Sequence, residues 1–128
     1  MRLQLDGEVP IFIQLAEWLS DLILSGSIGV EEQIPSTTEI ATSYKINPAT
    51  ALKGVNLLVD KGIIYKKRGL GMFVCEGAPE KIRKRRIDDF YEKYVIALLN
   101  EAEKLGLSRD EIISIILADS PDAKEETQ

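Results

Sequence analysis

Apolar side chains in the first part of the chain recur at steps of three and four residues, which is the period of one face of a helix. They are Ile11, Leu15, Trp18 or Leu19, Leu22 and Ile23. Pro10 is suited to the first helical turn, and Gly26 lies where a left-handed residue would end the helix. The pattern predicts one amphipathic helix between these two residues.

Two local signals mark the starts of the next helices. Ser36 with Glu39 three residues later forms a capping box, in which each side chain bonds the other's backbone N–H. Asn47 is a favourable N-cap and Pro48 a favourable first residue, so a further helix is expected from there to Gly62. Two helices separated by so few residues are a helix-turn-helix candidate.

The second of these helices has two distinct faces. Its apolar face, predicted to lie in the core, consists of Leu52, Val55, Leu58 and Val59. Its outer face consists of Ala49, Lys53, Asn56 and Asp60, with Thr50 beside the first turn. Gly54 costs roughly 1 kcal/mol relative to alanine inside a helix, so its presence indicates tight packing or close backbone approach.

Two β-rich segments follow, "IIYKK" and "GMFVC", and the turn between them contains Gly69 and Gly71. This pattern predicts a hairpin that carries Lys66, Lys67 and Arg68 next to glycines. Cations and bare backbone N–H groups in such a turn can contact phosphates or enter a minor groove. A hairpin after a helix-turn-helix is typical of a winged helix, although the same glycines would also suit an ordinary solvated hairpin.

The rest of the chain predicts a long helix ended by Gly106, then a second capping box at Ser108 and Glu111 before a short helix. The two helices carry more apolar surface than a small winged domain needs. A second copy of the chain is the simplest partner, because twofold dimers are the commonest oligomers. The alternative is that both helices fold back onto their own domain. The expected interface residues are Ile87, Phe90, Tyr91, Tyr94, Val95, Leu98, Ala102, Leu105, Ile112, Ile115 and Ile116.

The fold class expected from these elements is mainly α with a small β-hairpin. Residues 1–77 are expected to form a winged helix-turn-helix domain for binding DNA. Residues 78–120 are expected to form a two-helix dimerisation region, and residues 121–128 a disordered tail, because that tail has little apolar surface to bury.

Charge is distributed unevenly along the 128 residues, whose formal net charge is −5. Residues 35–86 carry eleven cations and four acids, whereas the segments on either side are acidic. A basic middle on an acidic body is typical of a polyanion-binding face, although a charge run is often only a solvated surface. The last four cations of this block, Arg83, Lys84, Arg85 and Arg86, would either contact phosphate or remain solvated.

The chemistry of an enzyme is missing from the sequence. There is no histidine and only one cysteine, Cys75, so neither a Cys/His zinc site nor an internal disulfide can form within one chain. Cys75 is interpreted as a small filler at the end of a strand. No metal or cofactor is expected. No apolar run reaches the roughly 18 residues of a membrane span and no secretory signal is evident, so a cytoplasmic protein is expected.

The order of these motifs resembles the GntR family of bacterial transcriptional regulators. The resemblance covers about residues 8–75 and rests on Pro-Ser, Glu-Ile-Ala, Asn-Pro-x-Thr, a leucine-rich helix, Lys-Gly-Ile-Ile and Gly-x-Gly-x-Phe-Val. The short remainder after the hairpin is similar to the YtrA-like branch, which has a small helical dimerisation unit instead of a large effector domain. The resemblance implies double-stranded DNA and a second copy of the chain as partners, and it identifies no effector.

The resemblance also implies roles for particular residues. Ser36 matches the N-cap of the first helix of the motif. Asn47, Thr50 and Lys53 fall where the family contacts phosphates and bases, and Gly69 and Gly71 match the tip of the hairpin. Two positions depart from the family, because Thr38 and Lys53 stand where an arginine is usual. Lysine lacks the planar fork that reads guanine through two bonds, so DNA binding is expected either to be weaker or to depend more on Lys66, Lys67 and Arg68.

The sequence therefore predicts a homodimeric transcriptional regulator, a repressor in the favoured form, that reads a near-palindromic operator. Its expected DNA contacts are Ser36, Thr38, Asn47, Ala49, Thr50, Lys53, Asn56, Lys66, Lys67, Arg68, Gly69 and Gly71. The alternative is a winged-helix module that binds protein or RNA without reading an operator.

Overall fold

The computed structural model describes residues 3–118, and the chain divides into two compact units that meet between Arg85 and Arg86. The first unit contains α1 (Ile11–Leu24), α2 (Thr37–Tyr44), α3 (Pro48–Asp60), β1 (Ile64–Lys67) and β2 (Gly71–Val74). A fourth helix, α4 (Ala78–Phe90), runs through the boundary. It continues into a π-helical segment (Tyr91–Val95), α5 (Ile96–Leu105) and, after Gly106, α6 (Arg109–Ala118).

The boundary between the units lies at 85/86 rather than at the 77/78 suggested by the sequence. Ala78 and Ile82, on the first turns of α4, are buried in the core of the first unit. They belong to that core because the chain passes from β2 almost directly into α4, whose first turns carry these two apolar side chains. The expected tail at residues 121–128 lies outside the described residues.

The caps expected from the sequence are present. The Ser36 hydroxyl accepts a bond from the Glu39 N–H at 3.0 Å, and the Glu39 carboxylate accepts one from the Ser36 N–H at 3.3 Å. Asn47 Oδ1 accepts the Ala49 N–H at 2.8 Å, at the start of α3. The reciprocal pair at Ser108 and Glu111 also forms. The backbone entering each of these helices is therefore satisfied by side chains adjacent in sequence.

Pro10 is one position earlier than expected, since it is the N-cap of α1 rather than a residue of its first turn. Its carbonyl accepts bonds from the N–H groups of Ile13 and Gln14 at 3.1 and 3.2 Å. The end of α1 is as expected, because Gly26 has a φ of 83°.

The prediction for the buried face of α3 is wrong at Leu52, which is 48% exposed. Val55 and Leu58 are buried as expected, but Ala51 and Gly54 share the interior with them, and Val59 is half-buried. The reason is the neighbouring helix. Because α1 crosses α3 at its smallest residues, the buried face is centred on Ala51 and Gly54, and Leu52 is rotated outward.

At Gly54 the backbone of α3 approaches α1 closely. A Cβ atom there would lie 2.9 Å from the Phe12 carbonyl oxygen and 2.9 Å from Leu15 Cδ2. The leucine could rotate away, but the carbonyl belongs to the backbone of α1 and cannot move without the helix. The sequence therefore correctly indicated close backbone approach at this glycine.

The hairpin pairs antiparallel, from Ile64 opposite Val74 to Lys67 opposite Gly71. The connection between α1 and α2 adds to the other edge of β2, which the sequence did not reveal. Ile34 N donates to the Met72 carbonyl at 2.9 Å, and Val74 N donates to the Glu32 carbonyl at 3.0 Å. This short polar segment has no strand-like pattern of its own, because its pairing depends on β2 lying beside it.

The second unit leaves large apolar side chains uncovered within one chain. Of the expected interface residues, Ala102 and Ile112 are only 4% and 7% exposed, and Val95 is half-buried. The others are exposed, as are two residues the sequence analysis missed. These exposed residues are Ile87, Phe90, Tyr91, Tyr94, Leu98, Leu105, Ile113, Ile115, Ile116 and Leu117.

The single long helix expected before Gly106 is interrupted by the π-helical segment, whose wider turns admit an extra residue. Phe90 directly precedes this segment and Tyr94 lies within it, and the centroids of their rings are 5.7 Å apart. Within residues 3–118, no helix is long and apolar enough to cross a membrane. Nor do the acidic and cysteine side chains of these residues gather into a group that could hold a metal ion.

Replacing Gly54 with alanine is expected to destabilise the protein by about 1–2 kcal/mol. Overpacking a core commonly costs about 1–3 kcal/mol, which outweighs the roughly 1 kcal/mol that alanine gains over glycine inside a helix. Urea unfolding measures the difference. The control is Asn56→Ala, an exposed position on the same helix. A Gly54→Ala protein at least as stable as the wild type would contradict the crossing described above.

Candidate nucleic-acid interface

The first turns of α3 expose a surface of small and polar residues. Ala49, Lys53 and Asn56 are exposed and line one groove along the helix, whereas Thr50 is half-buried and does not line it. Ala49 and Thr50 are short enough to let a groove wall approach the backbone. Asn47 is exposed, but its side-chain oxygen is already bonded to the Ala49 N–H. Its amide NH₂ is the part of the side chain that can donate to a ligand.

Lys53 does not simply extend into solvent. Its Nζ lies 4.2 Å from the centroid of the Phe12 ring, within the range of a cation–π interaction. Phe12 is in the first turn of α1, and the crossing at Gly54 brings it next to α3. Sequence reasoning missed Phe12 because its role depends on that crossing rather than on any local motif.

An open groove of about 350 Å³ follows this side of α3. It is lined by Phe12, Ala49, Leu52, Lys53, Asn56, Leu57 and Asp60. The exposed Leu52 contributes an apolar wall next to the ammonium of Lys53. The groove therefore offers one cation, one amide and one carboxylate beside apolar carbon.

The start of α2 offers few polar groups that are free to bind a ligand. The Ser36 hydroxyl and N–H are both engaged in the capping box, so the side chain orients the helix. Thr38, which stands where the resembled family has an arginine, is exposed within the first turn. It offers a hydroxyl but no charge.

The hairpin, hereafter the wing (Ile64–Val74), exposes Lys66, Arg68 and Leu70. Gly69 and Gly71 have φ values of 78° and 126°, so the turn needs residues without a Cβ there. Gln33 Nε2 donates to the Leu70 carbonyl at 2.8 Å and holds the tip from the neighbouring segment. Gln33 is a further residue that sequence reasoning missed.

Lys67 differs from Lys66 and Arg68, because its ammonium contacts neighbouring side chains of the same chain. Its Nζ lies 3.9 Å from Glu31 Oε2, 4.4 Å from the centroid of Phe73 and 5.7 Å from that of Tyr65. Alternation along the strands places Tyr65, Lys67 and Phe73 on one face of the hairpin. Of the three cations predicted to contact DNA, Lys67 is therefore the one that is paired with an acid of its own chain.

Glu31 joins this cluster from outside the wing. Its carboxylate accepts a hydrogen bond from the Tyr65 hydroxyl. That bond raises the pKa of Tyr65 above its ordinary value of 10.0, since it stabilises the protonated phenol; desolvation adds to the rise, and the nearby Lys67 opposes it. Glu31 is thus bonded to one residue of β1 and ion-paired with another.

The basic run after the wing begins beside the far end of α3. Lys81 Nζ donates to the carbonyl of Gly62, which follows the last turn of that helix, at 3.4 Å. Arg83, Lys84 and Arg85 are exposed and Arg86 is half-buried. The start of α4 therefore lies near the end of α3 opposite to Asn47.

Comparison with known proteins shows that the chain is similar to bacterial transcriptional regulators. Residues 13–74 match the family described as "Bacterial regulatory proteins, gntR family", a span that runs from α1 to the end of the wing. The chain is 27% identical over 118 residues to the HTH-type transcriptional repressor YtrA of Bacillus subtilis, covering 92% of this chain and 90% of YtrA.

Two solved structures extend the likeness. A GntR-family protein from Bacteroides thetaiotaomicron is 32% identical, with a TM-score of 0.71 over 84% of this chain and 93% of that one. The DNA-binding domain of AraR in complex with its operator ORX1 is 26% identical, with a TM-score of 0.54 over 59% of this chain and 96% of that one. The mainly helical fold with a winged hairpin is confirmed.

Proposed function

The chain belongs to the GntR family of bacterial regulatory proteins, as a YtrA-like DNA-binding transcriptional regulator and not an enzyme, and we propose that it is a homodimeric repressor of a near-palindromic operator. The single observation that carries the proposal is the likeness of the first unit to a winged domain solved on its operator. Its partner is double-stranded DNA, so its place of action is the bacterial cytoplasm.

Base reading is assigned to the exposed side of α3 between Ala49 and Asn56. A helix fits the major groove with its N-terminal residues nearest the base edges. Ala49 and Thr50 permit close approach, and Lys53 and Asn56 supply a donor and an amide on the exposed side. Lysine acts on guanine as a single charged donor, so its discrimination is weaker than that of a forked arginine.

Phosphate contacts are assigned to the helix starts and the wing. The caps at Ser36 and Asn47 hold two helix N-termini, where backbone N–H groups and the helix dipole favour an anion. Thr38 would add a neutral hydroxyl to this contact. On the wing, Lys66 and Arg68 carry the charge, and Gly69 and Gly71 keep the backbone bare at the tip.

Dimerisation is assigned to the second unit, and the occupant of its uncovered apolar surface is a second copy of this chain. Among the described residues of that unit, ten large apolar side chains are exposed, including Phe90, Tyr94 and Ile116. Covering them removes apolar carbon from water, which is the main driving force for association. Ala102 and Ile112 support the fold of each protomer instead, because they are already buried in one chain.

Two protomers related by a twofold axis present two α3 helices to one face of a duplex. Their half-sites then lie about 10 bp apart, or a multiple of that spacing, and the operator is an inverted repeat. A dimer occupying such a site excludes other proteins from the same DNA. The repressor assignment rests on this exclusion and on the repressor name carried by YtrA.

Selection of binding sites from a random duplex pool tests the function. The expected result is an enriched inverted repeat, bound at least about a thousandfold more tightly than its scrambled version at physiological salt. Equal binding of both duplexes with a steep salt dependence would overturn operator reading. It would instead favour a winged-helix interaction module.

Lys53→Ala is expected to weaken binding to the selected site by about five- to tenfold, because the variant loses one charged donor at a base edge, which is worth roughly 1 kcal/mol. It should also relax the base preference at one position of each half-site. Fluorescence anisotropy on the site and its single-base variants measures both effects. Lys61→Ala is the control, since it removes the same charge at the C-cap of the same helix. Equal losses in the two variants would show a net-charge effect and contradict base reading by Lys53.

Tyr94→Lys is expected to convert the protein to monomers at micromolar concentration, because the change places a charge in the middle of the apolar interface. Sedimentation equilibrium measures the mass, and affinity for the inverted repeat should fall with it. Asn100→Lys adds the same charge at an exposed polar position of α5 and should stay dimeric. A dimeric Tyr94→Lys protein would rule out this surface as the interface.

A further inference from the structure

Glu31 occupies a backbone conformation that side chains rarely adopt. Its φ is 65°, in the left-handed region, where a residue with a Cβ costs roughly 1 kcal/mol or more. Glycine would avoid that cost. With glutamate at this position, the contacts of its side chain offset the cost of the backbone conformation. Those contacts are the hydroxyl of Tyr65 and the ammonium of Lys67.

The position of the carboxylate is fixed from two directions. The Glu31 N–H donates to the carbonyl of Val74 at 2.9 Å, which ties its backbone to the end of β2. The Tyr65 hydroxyl holds the carboxylate over β1. Oε2 then lies 3.9 Å from Lys67 Nζ, and the aromatic face of Phe73 lies below the same ammonium.

The cluster is neutral overall and remains in contact with water. The side chains of Lys67 and Glu31 are 40% and 51% exposed, so a phosphate could reach the ammonium. A phosphate would then compete with an anion that the protein already supplies. Lys66 and Arg68, on either side, have no such internal anion among the contacts of the described residues.

We propose that Glu31 is an affinity-setting residue that competes with DNA phosphate for Lys67, so that the wing engages the duplex with fewer cations than its sequence offers. The inference rests on the proposed function, because it assumes that the wing meets DNA. It assigns a role to an acidic residue on the binding side of the molecule. Removing the charge of Glu31 frees Lys67 for one more phosphate.

Salt dependence measures the number of phosphates engaged, because the slope of log K against log salt changes by about 0.9 for each contact on duplex DNA. The probe is a random-sequence duplex, so the result does not depend on operator reading. Glu31→Gln is expected to steepen the slope by about 0.9 and to raise affinity by about three- to tenfold at 0.1 M salt.

The matched control is Glu32→Gln, which removes the same charge from the next residue. Glu32 accepts a bond from the N–H of Gly29 and has no contact with Lys67 among the described residues. It should change the slope much less than Glu31→Gln does. Equal changes in the two variants would mean that only net charge matters and would overturn the proposal.

A double-mutant cycle isolates the pair. In the wild type, Lys66→Met should lower the slope by about 0.9, whereas Lys67→Met should change it little because Lys67 is already engaged. In the Glu31→Gln background, Lys67→Met should cost as much as Lys66→Met. If Glu31→Gln strengthens binding equally with and without Lys67, the competition is refuted.

A readout without DNA separates this inference from the proposed function. Glu31→Gln should lower the pKa of Tyr65 toward its ordinary value, which ¹³C-tyrosine NMR titration measures against a Tyr65→Phe reference spectrum. An unchanged pKa means that Glu31 is not held at the wing, and the proposal fails whatever the site selection returns. A lowered pKa and a steeper slope on random duplex would support it even if no operator were enriched.

Discussion

The structure depends on how closely α1 and α3 approach each other. At Gly54 the two helices approach until only a hydrogen fits against the Phe12 carbonyl, and this contact determines which side of α3 faces outward. Ala51 is buried and Leu52 exposed as a result, and Phe12 comes to lie under the ammonium of Lys53. The packing of α1 against α3 therefore decides which α3 side chains face outward, and so which groups a ligand would meet.

Structural features that depend only on residues close together in the sequence could be predicted from it. The capping boxes, the Asn-Pro start of α3 and the glycine turns of the wing are local, and the structure contains them. Features decided across the fold could not. Leu52 has the pattern of a core residue, Phe12 carries no motif, and Lys67 resembles any other surface cation until Glu31 is brought beside it by the pairing of its segment with β2.

Charge has two roles on the proposed DNA-binding side of this molecule. The basic block supplies long-range attraction, which a polyanion feels whichever cation it meets first. The aromatic and acidic neighbours of Lys53 and Lys67 act at short range and give each ammonium a resting position before any ligand arrives. Under the proposal made for Lys67, a ligand competes with those contacts, and the net gain from such a cation is smaller than its charge alone implies. The affinity of such a surface depends on how much more strongly each cation binds the ligand than its neighbours in the same chain, and not only on the number of lysines.

The continuity of α4 across the two units has a practical consequence. Ala78 and Ile82 complete the core of the first unit, although the sequence places them with the second. A fragment ending at residue 77 would lose the two buried side chains of Ala78 and Ile82. One ending near residue 85 keeps them. A fragment meant to carry the whole core of the first unit should therefore include the first two turns of the helix that leads to the other unit.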